Sequence, residues 1–415
     1  MIDGPEPSDM RRDLWPRPTI RVGVIGAGER STIARYVPEG SSGVDARVVA
    51  VADVTETGRV RARADFPFAE VVGSHTELAA SGAIDAAIVT TPDATHARIA
   101  IDLLNSGIAV YLEKPLATTV DDADAVLAAA AATGTPLYVG HNFRHSGVVN
   151  ALRNVVESGE VGEVKTVWCR HFVGHGGDYY FKDWHADRRN VNSLLLQKAS
   201  HDLDVIHLLA GGYTRRVVGM GSLSVYGSID DRRDRSDERL GEWFSLDNWP
   251  PLTQTGLHPV VDVEDVSMML MSLDNGVVAS YEQCHFTPDY WRNYTIVGTE
   301  GRAENFGDTG GGVIKVWNHR RDWQVAGDRE YPIAGVPSGH ADADEITVRE
   351  FLRHLAYGEP ISVSPVAARE AVAVGDLATR SLRDGSTPRE VPPLSEHVLH
   401  HFSRVAAAPT PISTP

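Results

Sequence analysis

Cysteine is scarce in this sequence: Cys169 and Cys284 are the only two among 415 residues. Two cysteines exclude a disulfide framework and a four-thiolate metal site, and they fit a reducing cytoplasm. Cys284 precedes His285, but this pair has no further partners at the spacing of metal ligands. We therefore expect no bound metal.

Long apolar runs are also absent. The longest, residues 125–132, falls far short of the roughly 20 residues that an α-helix needs to cross a bilayer. Residues 1–18 lack the apolar core of a signal peptide. These features predict a cytoplasmic protein that does not associate with a membrane.

Basic residues are fewer than acidic residues in this sequence. The chain has 39 Lys and Arg residues against 56 Asp and Glu residues, which gives a formal net charge of −17. Nucleic acids and anionic membranes repel such a protein, so we exclude them as main partners. Hydrophobic residues make up 42% of the chain, which is ample for a packed core. At roughly 100–200 residues per domain, the length predicts two domains.

The pattern of elements changes along the chain. Up to about residue 145, short apolar strands alternate with helices, which predicts a doubly wound parallel sheet covered on both faces. Beyond it, strand-like runs follow one another, which predicts an open, mostly antiparallel sheet. The predicted units are an arm (1–18), a Rossmann domain (19–145), an α+β domain for substrate binding and oligomerisation (146–392) and a tail (393–415). Late helices at 344–356 and 365–384 are assigned to the second domain.

A glycine turn joins the first predicted strand to the first helix. Gly26 allows the tight turn and Gly28 allows a pyrophosphate to approach, while the helix start offers free N–H groups. Asp53 ends the second strand, where a carboxylate can accept both hydroxyls of an adenosine ribose; this favours NAD over NADP. The predicted cofactor contacts of these two strand ends are Gly26, Gly28, Glu29, Arg30, Ser31 and Asp53.

Two alternatives accompany this motif. Its third position is Ser31 rather than glycine or alanine, so the segment can also be an ordinary strand–helix turn. Arg59 or Arg61 could still accommodate the 2′-phosphate of NADP.

Later strand ends of the first domain carry further polar residues. Ligands bind at the carboxyl ends of the strands in such sheets. Lys114, in the turn Glu113-Lys114-Pro115, can bond a substrate hydroxyl and stabilise a developing alkoxide; the alternative is a surface lysine beside a structural turn. The predicted cofactor contacts here are Thr91, Pro92, His96, Glu113, Lys114 and Asn142, with Arg144 and His340 as further cleft residues.

These motifs resemble those of the glucose–fructose oxidoreductase/inositol dehydrogenase/MocA family. The similar stretches are VGVIGAG, VADV, TTPDATH, LEKPLATT, VGHNFRH, SGEVGEV and YTIVGTEGRAENF, which together cover most of residues 19–392. The resemblance implies a dinucleotide domain followed by an α/β domain with an open sheet. It also implies hydride transfer at a secondary alcohol of a sugar, inositol or glycoside, with Lys114 as the motif lysine.

A helix predicted at 194–209 in the second domain carries a polar stripe. Gln197, His201 and Asp204 follow the i, i+4, i+7 spacing of one helical face. His201 can take the hydroxyl proton, since histidine titrates near neutral pH; the alternative is a hydrogen-bonded core histidine. Many family members have Asp where Gln197 stands, so the usual Lys–Asp–His arrangement is incomplete and Lys198 can supply the missing polar group. Asp204 can orient His201 or link the domains, whereas Asp202 is expected to be solvated.

The run 171–190 is dense in aromatic and polar side chains. Its predicted substrate contacts are Tyr179, Lys182, Trp184 and His185, which join Lys114, Arg144, Gln197, Lys198 and His201. Lys182, Lys198 and nearby arginines form a basic cluster, which points to an anionic group on the substrate. The alternative is a surface loop whose charges pair with neighbouring aspartates.

The resulting hypothesis is an NAD-dependent oxidoreductase that acts on a small carbohydrate or glycoside. We expect a homodimer or homotetramer built on the open sheet face. One rival is a glycosidase, because some family members hold NAD tightly and cleave glycosides by transient oxidation, elimination and re-reduction. Another rival is a non-catalytic sensor of NAD or sugar.

Overall fold

The computed structural model describes residues 19–38, 42–335 and 341–406. The predicted arm at 1–18, the cleft candidate His340 and residues 407–415 lie outside the described residues. No helix within the described ranges is both long and apolar enough to cross a membrane.

The first sheet is parallel and has the strand order β3-β2-β1-β4-β5-β6. Its strands are β1 Ile20–Ile25, β2 Ala46–Ala52, β3 Glu70–Val72, β4 Ala86–Val89, β5 Ala109–Leu112 and β6 Leu137–Val139. The order reverses between β1 and β4, which is where doubly wound sheets bind their ligands. Helices cover both faces, and this is why β4 and β5 are apolar at every position. The predicted doubly wound sheet is confirmed.

Helices of the first half begin and end at sequence signals. They are α1 Glu56–Asp65, α2 His75–Ala80, α3 His96–Asn105, α4 Val120–Thr133 and α5 Gly147–Glu157, preceded by a 3₁₀ helix at Glu29–Tyr36. The Thr119 side chain accepts a hydrogen bond from the backbone N–H of Asp122 at the start of α4. Gly134, with φ of 67°, ends the same helix in the left-handed region.

The second sheet has nine strands in the order β14-β13-β12-β11-β7-β10-β9-β8-β15. They are β7 Val164–Val173, β8 Thr214–Ser222, β9 Val266–Leu273, β10 Val278–Cys284, β11 Tyr290–Gly298, β12 Arg302–Phe306, β13 Val313–Trp317, β14 Arg329–Pro332 and β15 Arg389–Glu390. Neighbours pair antiparallel except β7 and β10, which are parallel. The predicted, mostly antiparallel second sheet is confirmed.

One face of this sheet is open and apolar. In β9, Met269 and Met271 are buried while Met268 and Leu270 are 43% and 65% exposed, as expected for a strand with two different faces. The exposed face continues onto neighbouring strands through Met220, Val278 and Trp168.

The remaining helices are α6 Arg188–Val191, α7 Leu194–Gln197, α8 Ala199–Ala210, α9 Ala341–Tyr357, α10 Pro365–Arg383 and α11 Glu396–Ala406. The sequence predicted one helix across 194–209, whereas the structure divides it at Lys198 into α7 and α8.

Late helices complete the first domain's core. Val348, Phe351 and Leu352 of α9 join the apolar cluster around β1 and β5. Leu394, Val398 and Phe402, from the predicted tail, join the cluster around α3 and α4. The sequence placed α9 with the second domain, because an amphipathic pattern shows that a face is buried without showing its partner.

Candidate active site

A cavity of about 610 Å³ lies where the carboxyl ends of the first sheet meet the second domain. Residues 179–185 and parts of 234–243 form its second-domain wall. The sequence-predicted residues that line the cavity are Gly26, Gly28, Glu29, Arg30, Asp53, Thr91, Pro92, His96, Glu113, Lys114, Tyr179, Lys182, Trp184, His185 and Gln197. The structure therefore brings most predicted contacts from both domains to one cavity.

Five predicted residues, all of them wholly or mainly buried, are not among the residues that line it. The Ser31 hydroxyl donates to the Gly28 carbonyl at 2.7 Å, and Asn142 donates to the Asp344 carboxylate at 2.6 Å. Arg144 donates to Asp204 at 2.9 Å. The other two, Lys198 and His201, are 7% and 6% exposed.

The two glycines of the turn are needed for different reasons. Gly26 has φ of 93°, and a Cβ there would lie 2.9 Å from the Thr91 side chain, so the fold itself requires glycine. A Cβ at Gly28 would meet no protein atom within 4 Å. Gly28 thus leaves open space beside the start of the 3₁₀ helix, as a dinucleotide phosphate requires.

Asp53 is held at the end of β2 in one orientation. Its Oδ2 accepts a hydrogen bond from the Ala27 backbone at 2.9 Å, and its Oδ1 accepts from the backbone N–H of Thr55 at 2.8 Å. A Cβ at Gly58 would lie 2.1 Å from the Asp53 carboxyl carbon. The glycine therefore makes room for the carboxylate that fits the ribose of NAD.

The two arginines considered for a 2′-phosphate have protein partners. Arg59 donates to Glu56 at 2.8 Å and to the Asp53 carbonyl at 2.9 Å. Arg61 donates to the Glu238 carbonyl at 2.9 Å. These contacts leave Asp53 as the main group at the adenosine end, in keeping with NAD.

Arg30 connects the glycine turn to two other elements. It bonds Glu113 at 2.6 Å and Asp344 of α9 at 2.6 and 2.7 Å. His96 has a similar linking role, since its two ring nitrogens lie 2.7 Å from the Pro115 carbonyl and 2.9 Å from the Thr91 carbonyl. Both residues therefore fix the loops that form the cavity.

Lys114 lies at the centre of the interface between the domains. Its Nζ donates to the Gln197 carbonyl at 3.2 Å. Burial lowers the pKa of Lys114 to about 8, and the charge of Lys198 lowers it too, whereas the Asp93 carboxylate acts in the opposite direction. A cation with this reduced proton affinity is suited to interact with a reacting hydroxyl.

Asp93 is a cavity residue that the sequence analysis did not include among the site residues. It stands in the motif TTPDATH, directly after Thr91 and Pro92, which the sequence predicted as cofactor contacts. The structure places it on the cavity wall, 3% exposed, with Lys114 as its neighbouring cation. The available signal was a carboxylate at the end of a parallel strand, next to the loop that carries the lysine.

The predicted polar stripe of α7 and α8 is divided among different surroundings. Gln197 faces the cavity, whereas the His201 ring contacts the edges of His141 and Phe143, with ring centres 6.1 and 6.2 Å apart. Asp204 bonds Arg144, which joins α8 to the end of the first domain.

Asp202 corrects an expectation of the sequence, which treated it as solvated. It is fully buried and hydrogen-bonds Tyr294, while Arg292 lies 3.0 Å away and His171 3.1 Å away. The pattern could not show this, because all three partners come from strands of the second sheet.

Three of the four cations in the predicted basic cluster pair with protein carboxylates, and the fourth, Lys198, contacts two tyrosines. Lys182 donates to Asp178 at 2.7 Å. Arg188 lies 3.1 Å from Asp262, and Arg189 pairs with Asp187. Lys198 donates to the Tyr290 hydroxyl at 3.1 Å and lies over the Tyr180 ring. These contacts favour the alternative of internal pairing over an anion site.

Residues 228–258 form a strap that reaches from the second domain to α1. Thr57 donates to Asp237 at 2.6 Å, Arg61 bonds the Glu238 carbonyl, and Arg239 donates to Asp65 at 2.8 Å. Strap residues also line the cavity: Asp234, Arg235, Ser236, Glu238, Leu240, Trp243 and His258. The strap therefore covers the adenosine end of the cavity.

Two models of one oxidoreductase family match the chain. The model for the "Oxidoreductase family, NAD-binding Rossmann fold" matches residues 20–141, and that for the "Oxidoreductase family, C-terminal alpha/beta domain" matches residues 153–391. These matches confirm the resemblance inferred from the motifs and the NAD-binding Rossmann domain.

Curated relatives match over part of their length. A 1-carboxy-3-chloro-3,4-dihydroxycyclohexa-1,5-diene dehydrogenase of Comamonas testosteroni is 30% identical over 206 residues, 49% of this chain and 50% of the relative. An inositol 2-dehydrogenase of Acidiphilium cryptum is 40% identical over 156 residues, 37% of this chain and 46% of the relative. The chain thus spans about half the length of these relatives.

Solved structures share the fold over most of the chain. A levoglucosan dehydrogenase in complex with NADH and levoglucosan has a TM-score of 0.73 at 19% identity, covering 91% of this chain and 100% of that one. An aldose-aldose oxidoreductase of Caulobacter crescentus complexed with glycerol has a TM-score of 0.66 at 19% identity, with 90% and 100% covered.

Proposed function

We propose that this chain, which belongs to the Gfo/Idh/MocA oxidoreductase family, oxidises a secondary hydroxyl of a sugar, inositol or glycoside with NAD. The observation that carries the proposal is one cavity that joins the glycine turn and Asp53 at one end to Lys114 and residues 179–185 at the other. A dinucleotide site and a candidate reaction site are thereby continuous. Two free cysteines agree with a cytoplasmic location.

Gly28, Asp53 and the start of the 3₁₀ helix would hold the cofactor. Gly28 provides space, Asp53 provides an acceptor for ribose hydroxyls, and Thr91 and Pro92 line the continuation toward Lys114. When bound, NAD supplies the hydride acceptor. The remaining chemistry belongs to side chains of this protein.

Lys114 and His201 are the proposed catalytic residues. The Lys114 ammonium donates a hydrogen bond to the substrate oxygen and stabilises negative charge that develops there. His201 accepts the hydroxyl proton. This role requires His201 to reach the substrate from its place behind Gln197, so His201→Asn is a necessary test.

Residues 179–185 are the proposed substrate-binding segment. Tyr179, Trp184 and His185 offer rings and polar edges to a sugar, and the Trp184 and His185 rings stack with centres 3.7 Å apart. Because Lys182 is paired with Asp178, we propose a neutral polyol or sugar ring rather than an anionic one.

A second copy of the chain is the proposed partner for the open sheet face. Met220, Met268, Leu270, Val278 and Trp168 are exposed apolar side chains on one face of four neighbouring strands. A sheet face can pair with its own copy about a twofold axis, which would remove these side chains from water. Sedimentation of the native chain and of Leu270→Glu tests this partner.

A glycosidase that retains NAD is the second candidate, and the strap is the observation that favours it. Three contacts hold the strap to α1 over the adenosine end. A cofactor that stays bound suits a cycle in which the hydride returns to the substrate.

One experiment separates the two candidates. A panel of polyols, sugars and aryl glycosides is incubated with NAD while NADH absorbance and released aglycone are followed together. NADH without aglycone supports the oxidoreductase. Aglycone without net NADH, lost in Lys114→Met, supports the glycosidase and overturns the first proposal. Neither signal with any compound overturns both.

A further inference from the structure

Four aromatic side chains, which we call the aromatic cluster, lie together beside the cavity. They come from three segments: His175 and Tyr179 follow β7, Phe244 belongs to the strap, and Tyr290 begins β11. The Phe244 ring centre lies 5.2 Å from that of His175 and 5.6 Å from that of Tyr179, and His175 stacks on Tyr290 at 5.9 Å. Because Tyr179 also lines the cavity, the aromatic cluster and the cavity are continuous.

The aromatic cluster is partly open to solvent. Tyr179 and Tyr290 are 42% and 36% exposed, and His175 and Phe244 are partly buried. Adjacent rings that remain exposed present apolar area that a ligand can cover. A sugar ring fits such a surface, because one of its faces carries C–H groups and their transfer from water onto an aromatic ring is favourable.

Two glycines hold the histidine of the aromatic cluster in place. A Cβ at Gly174 would lie 2.4 Å from the Asp289 carbonyl oxygen, and one at Gly176 would lie 2.3 Å from the His285 carbonyl oxygen. Only glycine therefore lets this loop pack directly on the connection between β10 and β11. That contact brings the histidine against Tyr290, so the backbone itself builds the surface.

Lys198 adds a polar group to the aromatic cluster. Its Nζ donates to the Tyr290 hydroxyl at 3.1 Å and lies 5.6 Å from the centre of the Tyr180 ring, which lines the cavity. The lysine is 7% exposed, and among the residues that the structure describes it forms no ion pair with a carboxylate. A buried ammonium without a counter-ion needs other acceptors. Since it has three N–H donors, donors remain for the oxygen atoms of a ligand.

We propose that the aromatic cluster and Lys198 form an outer subsite for a second sugar ring, so that the substrate is a neutral glycoside of two sugar units. The inner ring occupies the cavity beside Lys114, and the outer ring stacks on the aromatic cluster while its hydroxyl oxygens accept hydrogen bonds from Lys198. The inference rests on the proposed function for the reaction at the inner ring. The outer subsite itself can be measured by binding, without turnover.

Sugars of different size test the outer subsite in the full chain with NAD present. Saturation-transfer NMR titrations compare maltose, cellobiose, lactose, sucrose and trehalose with their component monosaccharides. At least one disaccharide should bind about tenfold more tightly than either of its units, and protons of both its rings should receive saturation. If every disaccharide binds no better than its units, the proposal is overturned.

The same titrations separate this inference from the proposed function. Binding of monosaccharides without any gain for disaccharides would overturn the outer subsite and leave the proposed reaction standing. Binding of no sugar at all would overturn both.

Phe244→Ala and His175→Ala give the second arm of the test. Each removes a ring that does not line the cavity, so the affinity for the preferred disaccharide should fall about threefold to tenfold, with an unchanged affinity for its monosaccharide. Phe306→Ala is the matched control, since Phe306 is 40% exposed and contacts Trp317. Melting temperatures check that the variants fold. Variants that lose affinity equally for both sugars, or lose none, would contradict the outer subsite.

Discussion

The Asp53 carboxylate accepts a hydrogen bond from the backbone N–H of Ala27 at 2.9 Å. This contact joins the end of β2 to the glycine turn after β1, so the two parts of the dinucleotide site hold each other in place. Gly58 makes the contact possible, since any side chain there would displace the carboxylate. The adenosine end of the cavity is therefore preorganised.

Gly28→Ala should weaken NAD binding without weakening the fold. The added methyl group meets no protein atom, but it occupies the space that we assign to the pyrophosphate. We expect a loss of at least about tenfold in NAD affinity, or about 1.4 kcal/mol, by titration calorimetry, with an unchanged melting temperature. Gly241→Ala is the matched control, since its Cβ also meets no atom and it does not line the cavity. Equal NAD affinity in both variants would contradict the site.

Asp202→Asn should be strongly destabilising. Removing one partner of a buried ion pair costs about 3–5 kcal/mol, and here it leaves Arg292 without its nearest carboxylate. The exposed pair of Arg153 and Glu157 supplies the control, because Glu157→Gln should cost less than about 1 kcal/mol. Denaturant midpoints of the two variants provide the measurement, and similar midpoints would refute the assignment.

The same residue predicts a pH dependence of stability. Burial alone would raise the pKa of Asp202, but Arg292, His171 and Tyr294 together hold it below its usual range. A depressed pKa in the folded state means that stability is present above the unfolded value of about 4 and decreases as pH falls below it. Unfolding free energy measured between pH 7 and 3 should therefore decrease in the unaltered chain, and Asp202→Asn should lose this component.

Lys182→Met should lower the stability of the protein and leave its preference between neutral and anionic substrates unchanged. Lys182 and Asp178 are both 3% exposed and bonded at 2.7 Å, so the variant leaves a buried carboxylate with Asn248 as its remaining side-chain donor. We expect a lower melting temperature and the same ratio of turnover between neutral sugars and uronic acids. A selective loss of uronic acid turnover would restore the anion site that the sequence suggested.

Arg239→Ala should accelerate release of NAD by opening the strap. A single exposed ion pair contributes up to about 1 kcal/mol, which corresponds to about a fivefold faster rate at most. Arg63→Ala is the control on α1, the helix that holds Asp65, because Arg63 pairs with Glu56 and, among the described residues, makes no ion pair with the strap such as that of Arg239 with Asp65. Release is followed by stopped-flow nucleotide fluorescence, and equal rates would exclude a retaining role.

The glycine turn, Asp53 and Lys114 could be identified from the sequence because each follows the carboxyl end of a strand. In a parallel sheet these ends all lie at the same edge. Asp202 and Asp93 could not be identified in this way, because their surroundings depend on contacts far apart in the chain. Asp202 is buried by β7 and β11, and Asp93 shares the cavity with Lys114, which follows the neighbouring strand.

The different surroundings of Gln197 and His201 show a second limit. Helical spacing placed both residues on one face, but Gln197 lines the cavity while the His201 ring packs near His141 and Phe143. Spacing predicts which residues share a face, but it does not predict which other elements that face will meet.

The late helices determine when the first domain can finish folding during synthesis. Its apolar clusters include Phe351 of α9 and Phe402 of α11, so the ribosome must make nearly the whole chain before those clusters close. A nascent chain that ends near residue 145 exposes the surfaces that α9 and α11 will cover. An excised first domain therefore has to be produced together with these helices. Without them, its sheet would expose apolar surface that chaperones can bind.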